Sequence, residues 1–316
     1  MSSQTGSIKK SPDFIYKYKT MSVDRFRDLQ EDIIKLKREN KLSDHEVYRR
    51  YIDELKFELP ENFPEAKSVI VIAMFTKLRL LNFHLNGDKH EVMLPPGYFR
   101  TGLSNEILQN IILNEIIKNP GYRIEKTGKL HQKLLAVRSG LARYGRNNIS
   151  YVDGMGSMHR LFAFFTDYQF EEDNWNEERL MKKCQNCKIC INKCPNNAIR
   201  EDKENFVIDV GKCVTLYNEI EGEFPEWISL DAHNALMGCM KCQLLCPANR
   251  EVIKLTERME DVTEEETRTI LDGITTDDDM LTSISKKIQM TSNDDPEAIK
   301  SIFPIISRNL RVLIDK

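Results

Sequence analysis

Eight cysteines stand between positions 184 and 246, and the rest of the 316-residue chain has none. A disulfide scaffold spreads its thiols through a small exported domain, whereas clustered thiols point to metal ligation. The first set reads Cys184-x2-Cys187-x2-Cys190-x3-Cys194-Pro195. The second reads Cys213, then, 26 positions on, Cys239-x2-Cys242-x3-Cys246-Pro247. The first spacing is that of two-cluster bacterial ferredoxins, in which the fourth cysteine ligates the other cluster. Three thiolates on a tight loop cover three corners of a cubane, and the next opens a helix that reaches the second. On that pattern Cys184, Cys187, Cys190 and Cys246 hold one [4Fe–4S] cluster, and Cys194, Cys213, Cys239 and Cys242 hold the other. Two zinc sites are the competing assignment, since CxxC pairs also bind zinc. The 2-2-3 spacing followed by proline, repeated in part, favours iron–sulfur and an electron relay.

The composition fits a globular protein, with 41% hydrophobic and 30% charged residues. A net charge of −3 argues against strong general nucleic-acid affinity, though not against a local basic face. No apolar run reaches the length of a membrane span, and the N-terminus lacks an export signal, so a cytoplasmic location is expected.

The elements that must position the cysteines lie on both sides. Ser22 is predicted to cap a helix over 23–40, and Ser43 a second over 44–57. Residues 68–75, SVIVIAMF, read as a buried strand, and 90–102 as a loop. Ser104 is predicted to cap an amphipathic helix ending before Pro120, and Gly140 to close another. ISYV and HRLFAFFTD read as strands around the turn DGMGSM. The 25 residues after Cys213 can form helices that reach a neighbouring domain. Thr263 with Glu266 makes a capping box, a helix follows over 277–290, and Pro296 and Pro304 open two more. Three segments are expected: an α/β domain over 1–175, a two-cluster domain over 176–252 and a helical tail over 253–316.

A ferredoxin needs only the cysteine region, so the α/β region must have its own use for electrons. It has no GxGxxG after a strand, no P-loop and no CxxCH. It does have a segment rich in glycine, arginine and asparagine over 138–148, followed by Asp153–Met158. Glycine lets main chain approach a ligand closely, and arginine and asparagine bind amide or phosphate groups. A helix cap and a hairpin turn explain the same glycines.

The order and spacing of these motifs resemble the epoxyqueuosine reductases and, more distantly, the reductive dehalogenases. The resemblance is carried by Ser139–Asn147, by Gly156-Ser157-Met158, by Tyr98 in GYFRTG, by Gly238–Asn249 and by the terminal Ser307-Arg308-Asn309. It implies an α/β (α+β) corrinoid-binding domain of nitroreductase-like type, then a two-cluster ferredoxin-like domain and a helical C-terminal tail. It implies cobalamin beside two [4Fe–4S] clusters, an oxidoreductase activity, and an external electron donor such as a ferredoxin or flavodoxin. It places the corrin against Arg138, Gly140, Leu141, Tyr144, Gly145, Arg146, Asn147, Gly156, Ser157 and Met158. The chain departs from the family at the proposed proton-donor aspartate, where Lys126 stands with Glu125 beside it, and this weakens tRNA as the substrate relative to a small or nucleoside-like molecule.

For the proton the candidates are Tyr98, then Tyr144, then Lys126 with Glu125. The ordinary roles of these residues are a core-covering loop tyrosine and a solvated charge. His159 reads as a strand histidine rather than a cobalt ligand, and Met155 and Met158 as packing residues. Two further readings stand beside the corrinoid reductase: a protein that reduces or processes cobalamin, and a cobalamin-free electron carrier.

Overall fold

The computed structural model describes residues 9–11, 14–98, 105–177, 180–200, 208–273, 275, 277–291 and 296–316. Along the chain run β1 (Lys9–Ser11), β2 (Phe14–Ser22), α1 (Phe26–Arg38), α2 (Glu46–Asp53), β3 (Ser68–Phe75), β4 (Arg79–Leu85) and β5 (Asp88–Leu94). Then come α3 (Asn105–Ile111), β6 (Ile124–Lys126), α4 (Gln132–Arg138), β7 (Arg143–Tyr144), β8 (Ser150–Tyr151) and β9 (His159–Thr166). The cysteine region carries α5 (Ile189–Lys193), α6 (Val214–Tyr217) and α7 (Lys241–Leu244). The chain ends with β10 (Glu257–Arg258), α8 (Glu264–Asp272), α9 (Asp278–Ile288) and α10 (Phe303–Ile314). Among the described residues no helix is long and apolar enough to cross a membrane.

The chain divides into two compact units. The first comprises residues 1–76, 103–188 and 199–211. Its sheet has the order β1-β2-β3-β9-β6, and every neighbouring pair is antiparallel. The apolar run of β3 follows from cover on both faces. Val69, Val71 and Ala73 share a core with Phe26 and Leu29 of α1 and Leu134, Leu135 and Val137 of α4. Ile70, Ile72 and Met74 face the other way, onto Leu108 and Ile111 of α3 and the π-helical turn Ile112–Ile117 that continues it.

The second unit comprises residues 77–102, 189–198 and 212–316. β4 and β5 form a hairpin over Asn86-Gly87, where φ is 54° and 86°. Positive φ at both central residues is the type I′ signature that matches strand twist. Leu81, Phe83, Val92 and Leu94 then bury against Ile270, Ile284, Phe303 and Ile306 of α8, α9 and α10. This division differs from the three expected segments. Residues 77–102 group with the C-terminal helices because those helices cover the hairpin's apolar face.

Several local expectations hold. Ser22 accepts from the Asp24 amide, β3 spans 68–75, and both halves of the Thr263–Glu266 capping box are made. Others are corrected. Ser43 accepts from the His45 amide in a turn, and α2 begins only at Glu46. Residues 90–94 are the end of β5 rather than loop. The segment after Cys213 is mostly turns beyond α6, with one 3₁₀ turn at Leu230–Ala232. The expected cap at Ser104 lies outside the described residues.

Candidate metal centre

The second cysteine set falls wholly in the second unit. Cys194 follows α5, Cys213 caps α6, and Cys239 and Cys242 flank the start of α7. α5 and α7 pack on each other. Burial pushes the Cys239 thiol up to about 11, with Cys213 and Cys194 adding to the rise and the Lys241 amide opposing it. Burial also raises Cys213, which Cys194 reinforces, while the amide and hydroxyl of Thr215 oppose it. Cys213 and Cys239 thus have donors from Thr215 and Lys241 at their sulfurs. The Ala198 amide likewise donates to Cys194 Sγ at 3.2 Å. Donors aimed at sulfur stabilise thiolate, the form that ligates iron, and tune the potential of a cluster held by it. Four cysteines in one unit, with donors at three of their sulfurs, have the ligand chemistry a cubane requires.

In the first set, Cys184 and Cys187 belong to the first unit, and Cys190 and Cys246 to the second. Cys184 is buried at the end of a 3₁₀ turn, Lys182–Cys184, and its carbonyl accepts from the Cys187 amide at 3.4 Å. Among the described residues no three His, Cys, Asp or Glu side chains converge on a single-ion site. A cubane spreads its thiolates over four irons, so its ligand set is wider than that of one zinc ion.

The glycine- and arginine-rich segment is well packed. Arg138 pairs with Asp32 through Nε at 2.6 Å and Nη2 at 2.5 Å, and through Nη1 with Glu177 at 2.7 Å. Its guanidinium also lies over the Trp175 ring. Gly140 ends α4 with φ 74°, and Leu141 and Tyr144 join the core beneath the sheet. The Tyr144 carbonyl accepts from Met181, so the chain leading to Cys184 runs beside β7. Arg146 Nη2 donates to the Cys184 carbonyl at 2.8 Å. Asn147 Nδ2 donates to the Tyr151 hydroxyl, and Gly145 lies so close that a Cβ there would collide with both side chains. Gly156 shapes the turn before β9, Ser157 is buried, and Met155 and Met158 are fully packed.

His159 is buried, with Nδ1 3.1 Å from the Gly156 carbonyl and Nε2 3.1 Å from Ser150 Oγ. Burial lowers its pKa to about 4, so the ring is neutral at physiological pH. Lys126 is exposed on the edge strand β6, and Glu125 beside it binds Asn62 and Arg123.

Tyr98 sits in the second unit, in the 3₁₀ turn after β5. Its hydroxyl donates to Glu219 Oε1, and its ring lies against Gly238, next to Cys239. Burial pushes the phenol well above its ordinary pKa, and the Glu219 carboxylate adds to this. Cys213 and Cys239 contribute further, and the contact with Gly238 places Tyr98 beside the loop into Cys239. Asn218 and Glu219 carry no signal in the sequence, whereas Gly238 opens the segment Gly238–Asn249 that carries the resemblance. Asn309 had a signal only in the terminal Ser-Arg-Asn.

Comparison with known proteins agrees with this geometry. Residues 183–249 match the 4Fe-4S double cluster binding domain. The chain is 26% identical to an epoxyqueuosine reductase of Staphylococcus aureus over 63% of its own length and 52% of the relative's. It is 32% identical to one from Atelocyanobacterium thalassa, over 64% of this chain and 65% of that protein. It shares a fold with an epoxyqueuosine reductase solved with an epoxyqueuosine-modified tRNA-Tyr stem loop. That likeness has a TM-score of 0.61 at 17% identity and covers 94% of this chain and 76% of the other. The chain spans about half the length of several curated relatives it matches. In sequence and in fold it is epoxyqueuosine reductase-like.

Proposed function

We propose that this chain is an iron–sulfur reductase in which two [4Fe–4S] clusters supply electrons to a corrin-containing site where a substrate is reduced. The observation that carries the reading is the second cysteine set, brought together in one unit where α5 packs on α7 and the Ala198 amide donates to Cys194 Sγ. The likeness to epoxyqueuosine reductases extends well beyond the cysteine region, which supports a reductase over a bare electron carrier.

The corrin rests on a partial fit. A corrin carries a rim of amide side chains that pair with main-chain groups. The exposed turn at Asp153-Gly154 offers main chain, while Arg138 and Asn147 are engaged inside the protein. His159, neutral and bonded at both ring nitrogens, is held away from a cobalt-ligand role. When bound, such a group supplies a cobalt centre that can be reduced to a strong nucleophile. Tyr98 is the first candidate to deliver a proton, because its hydroxyl donates to the exposed Glu219 carboxylate beside the loop that leads into Cys239. For the substrate we place an epoxyqueuosine-type nucleoside in tRNA first, since relatives of this fold carry that name.

The test is anaerobic purification and reconstitution, with iron and cobalt counted and turnover measured on an epoxyqueuosine-containing tRNA stem loop with a low-potential reductant. About eight irons and one cobalt per chain, with cobalamin-dependent loss of the epoxide, are expected. Iron without cobalt, after incubation with cobalamin, would overturn the corrin part and leave an electron carrier. Zinc in place of iron would overturn the whole reading.

A further inference from the structure

The second cysteine motif is interrupted: Cys213 and Cys239 stand 26 positions apart, yet a cubane needs their sulfurs fixed relative to one another. A long flexible connection makes that fixation entropically costly. The structure spans the interruption with one buried side chain. Asn218 is fully buried at the end of the helix that Cys213 caps. Its Nδ2 donates to the carbonyl of Gly238 at 2.7 Å, directly before Cys239. Its Oδ1 lies 3.0 Å from His233 Nδ1.

A second asparagine locks the first. Asn309 of α10 is 1% exposed, and its Nδ2 donates to the carbonyls of Asn218 at 3.0 Å and Leu236 at 2.8 Å. Its Oδ1 accepts from Arg308, whose guanidinium also binds the Tyr217 carbonyl at 2.6 Å. Leu236 is held again through its amide, which donates to Met93 of β5 at 2.8 Å. Gly238 itself has φ +65°, a conformation glycine adopts freely, and the Tyr98 ring fills the place a Cβ would take. The residues that lead into Cys239 are thereby fixed by side chains from α6, α10 and the turn after β5.

We infer that Asn218 and Asn309 are positioning residues for the second cluster, which makes the C-terminal helix a working part of the electron-transfer module. The inference rests on the two-cluster reading. Each asparagine acts through main chain of the cysteine loops. A buried amide can be replaced only by a group with the same donors, since unpaired carbonyls in a dry interior are strongly disfavoured.

The experiment uses the full chain, anaerobically reconstituted, with Asn218→Asp and Asn309→Asp, which keep shape and lose the donor. Thr263→Ala, which removes a helix cap in the same unit and touches none of this network, serves as the stability control. Iron content and potentiometric electron paramagnetic resonance are read for each. Wild type should hold about eight irons. The asparagine variants should fall by about half, or keep all the iron with a shifted midpoint for one cluster and the other unmoved, while the control keeps both. Full iron with both midpoints unmoved would overturn the inference. So would equal iron loss in the Thr263→Ala control, which would mark the effect as general destabilisation. Failure of wild type to bind eight irons would instead overturn the two-cluster reading itself.

Discussion

The Arg146 guanidinium donates to the main-chain carbonyl of Cys184 at 2.8 Å, from a side chain only 3% exposed. One residue of the glycine- and arginine-rich segment thus holds the first cysteine of the first motif. Tyr144, two positions earlier, holds the approaching chain through the Met181 amide. The segment does for Cys184 what Asn218 does for Cys239: it fixes main chain at the entrance to a cysteine loop.

Arg146→Met should leave the Cys184 carbonyl without this charged donor in a buried setting. The loss is worth about 1.5–3 kcal/mol for a hydrogen bond to a charged group. Urea unfolding of the reconstituted protein should show a lower midpoint, with Arg146→Lys recovering part of it. An unchanged midpoint in Arg146→Met would show that the carbonyl finds another donor.

Arg138 and Asp32 form a buried two-point ion pair, with side chains 5% and 7% exposed. Removing one partner leaves the other charge stranded, which costs about 3–5 kcal/mol. Arg138→Met and Asp32→Leu should each lower the unfolding midpoint strongly, and the double variant should recover much of the loss. A double variant as unstable as the sum of the singles would mean that the pair is not coupled in this way.

Stability should also carry the signature of His159. Burial holds its folded pKa near 4, against an ordinary value near 6.5. The unfolded chain takes up the proton first as pH falls, so this contribution is full above about 6.5 and is lost progressively towards about 4. At about 1.4 kcal/mol per pH unit, the loss amounts to ~3 kcal/mol. His159→Gln should flatten the pH dependence of the unfolding free energy over that window. A variant with the wild-type slope would assign the acid sensitivity elsewhere.

How far the sequence discloses this architecture depends on how local the signal is. The capping box at Thr263 and the buried run of β3 are local, and both are read from types and spacing. The cysteine spacing is local within each motif, so the double cluster binding region is read from it. The β4–β5 hairpin also had a local signal, Asn86-Gly87, but Pro95-Pro96-Gly97 just beyond it favours a loop for the whole stretch. Arg138 and Asn147 have the chemistry of ligand-binding groups, and only their buried partners, Asp32 and Tyr151, show where that chemistry is spent. Asn218 and Asn309 are 91 positions apart, and no periodicity links an asparagine after a helix to one inside another.

Tyr98 provides the sharpest separation between a structural and a chemical role. Its ring occupies the space over Gly238, and its hydroxyl meets Glu219. Tyr98→Phe keeps the ring and removes the hydroxyl, so iron content and both cluster midpoints should stay close to wild type. If the phenol delivers the proton, turnover should fall at least about a hundredfold, the scale of a general acid's contribution. Glu219→Gln should give a smaller loss, because the carboxylate only supports the phenol from its exposed side. Tyr98→Ala should behave differently, opening space over the loop before Cys239 and lowering iron content as well. Full turnover in Tyr98→Phe would remove the phenol as donor and leave Tyr98 as a cover for the second cysteine loop.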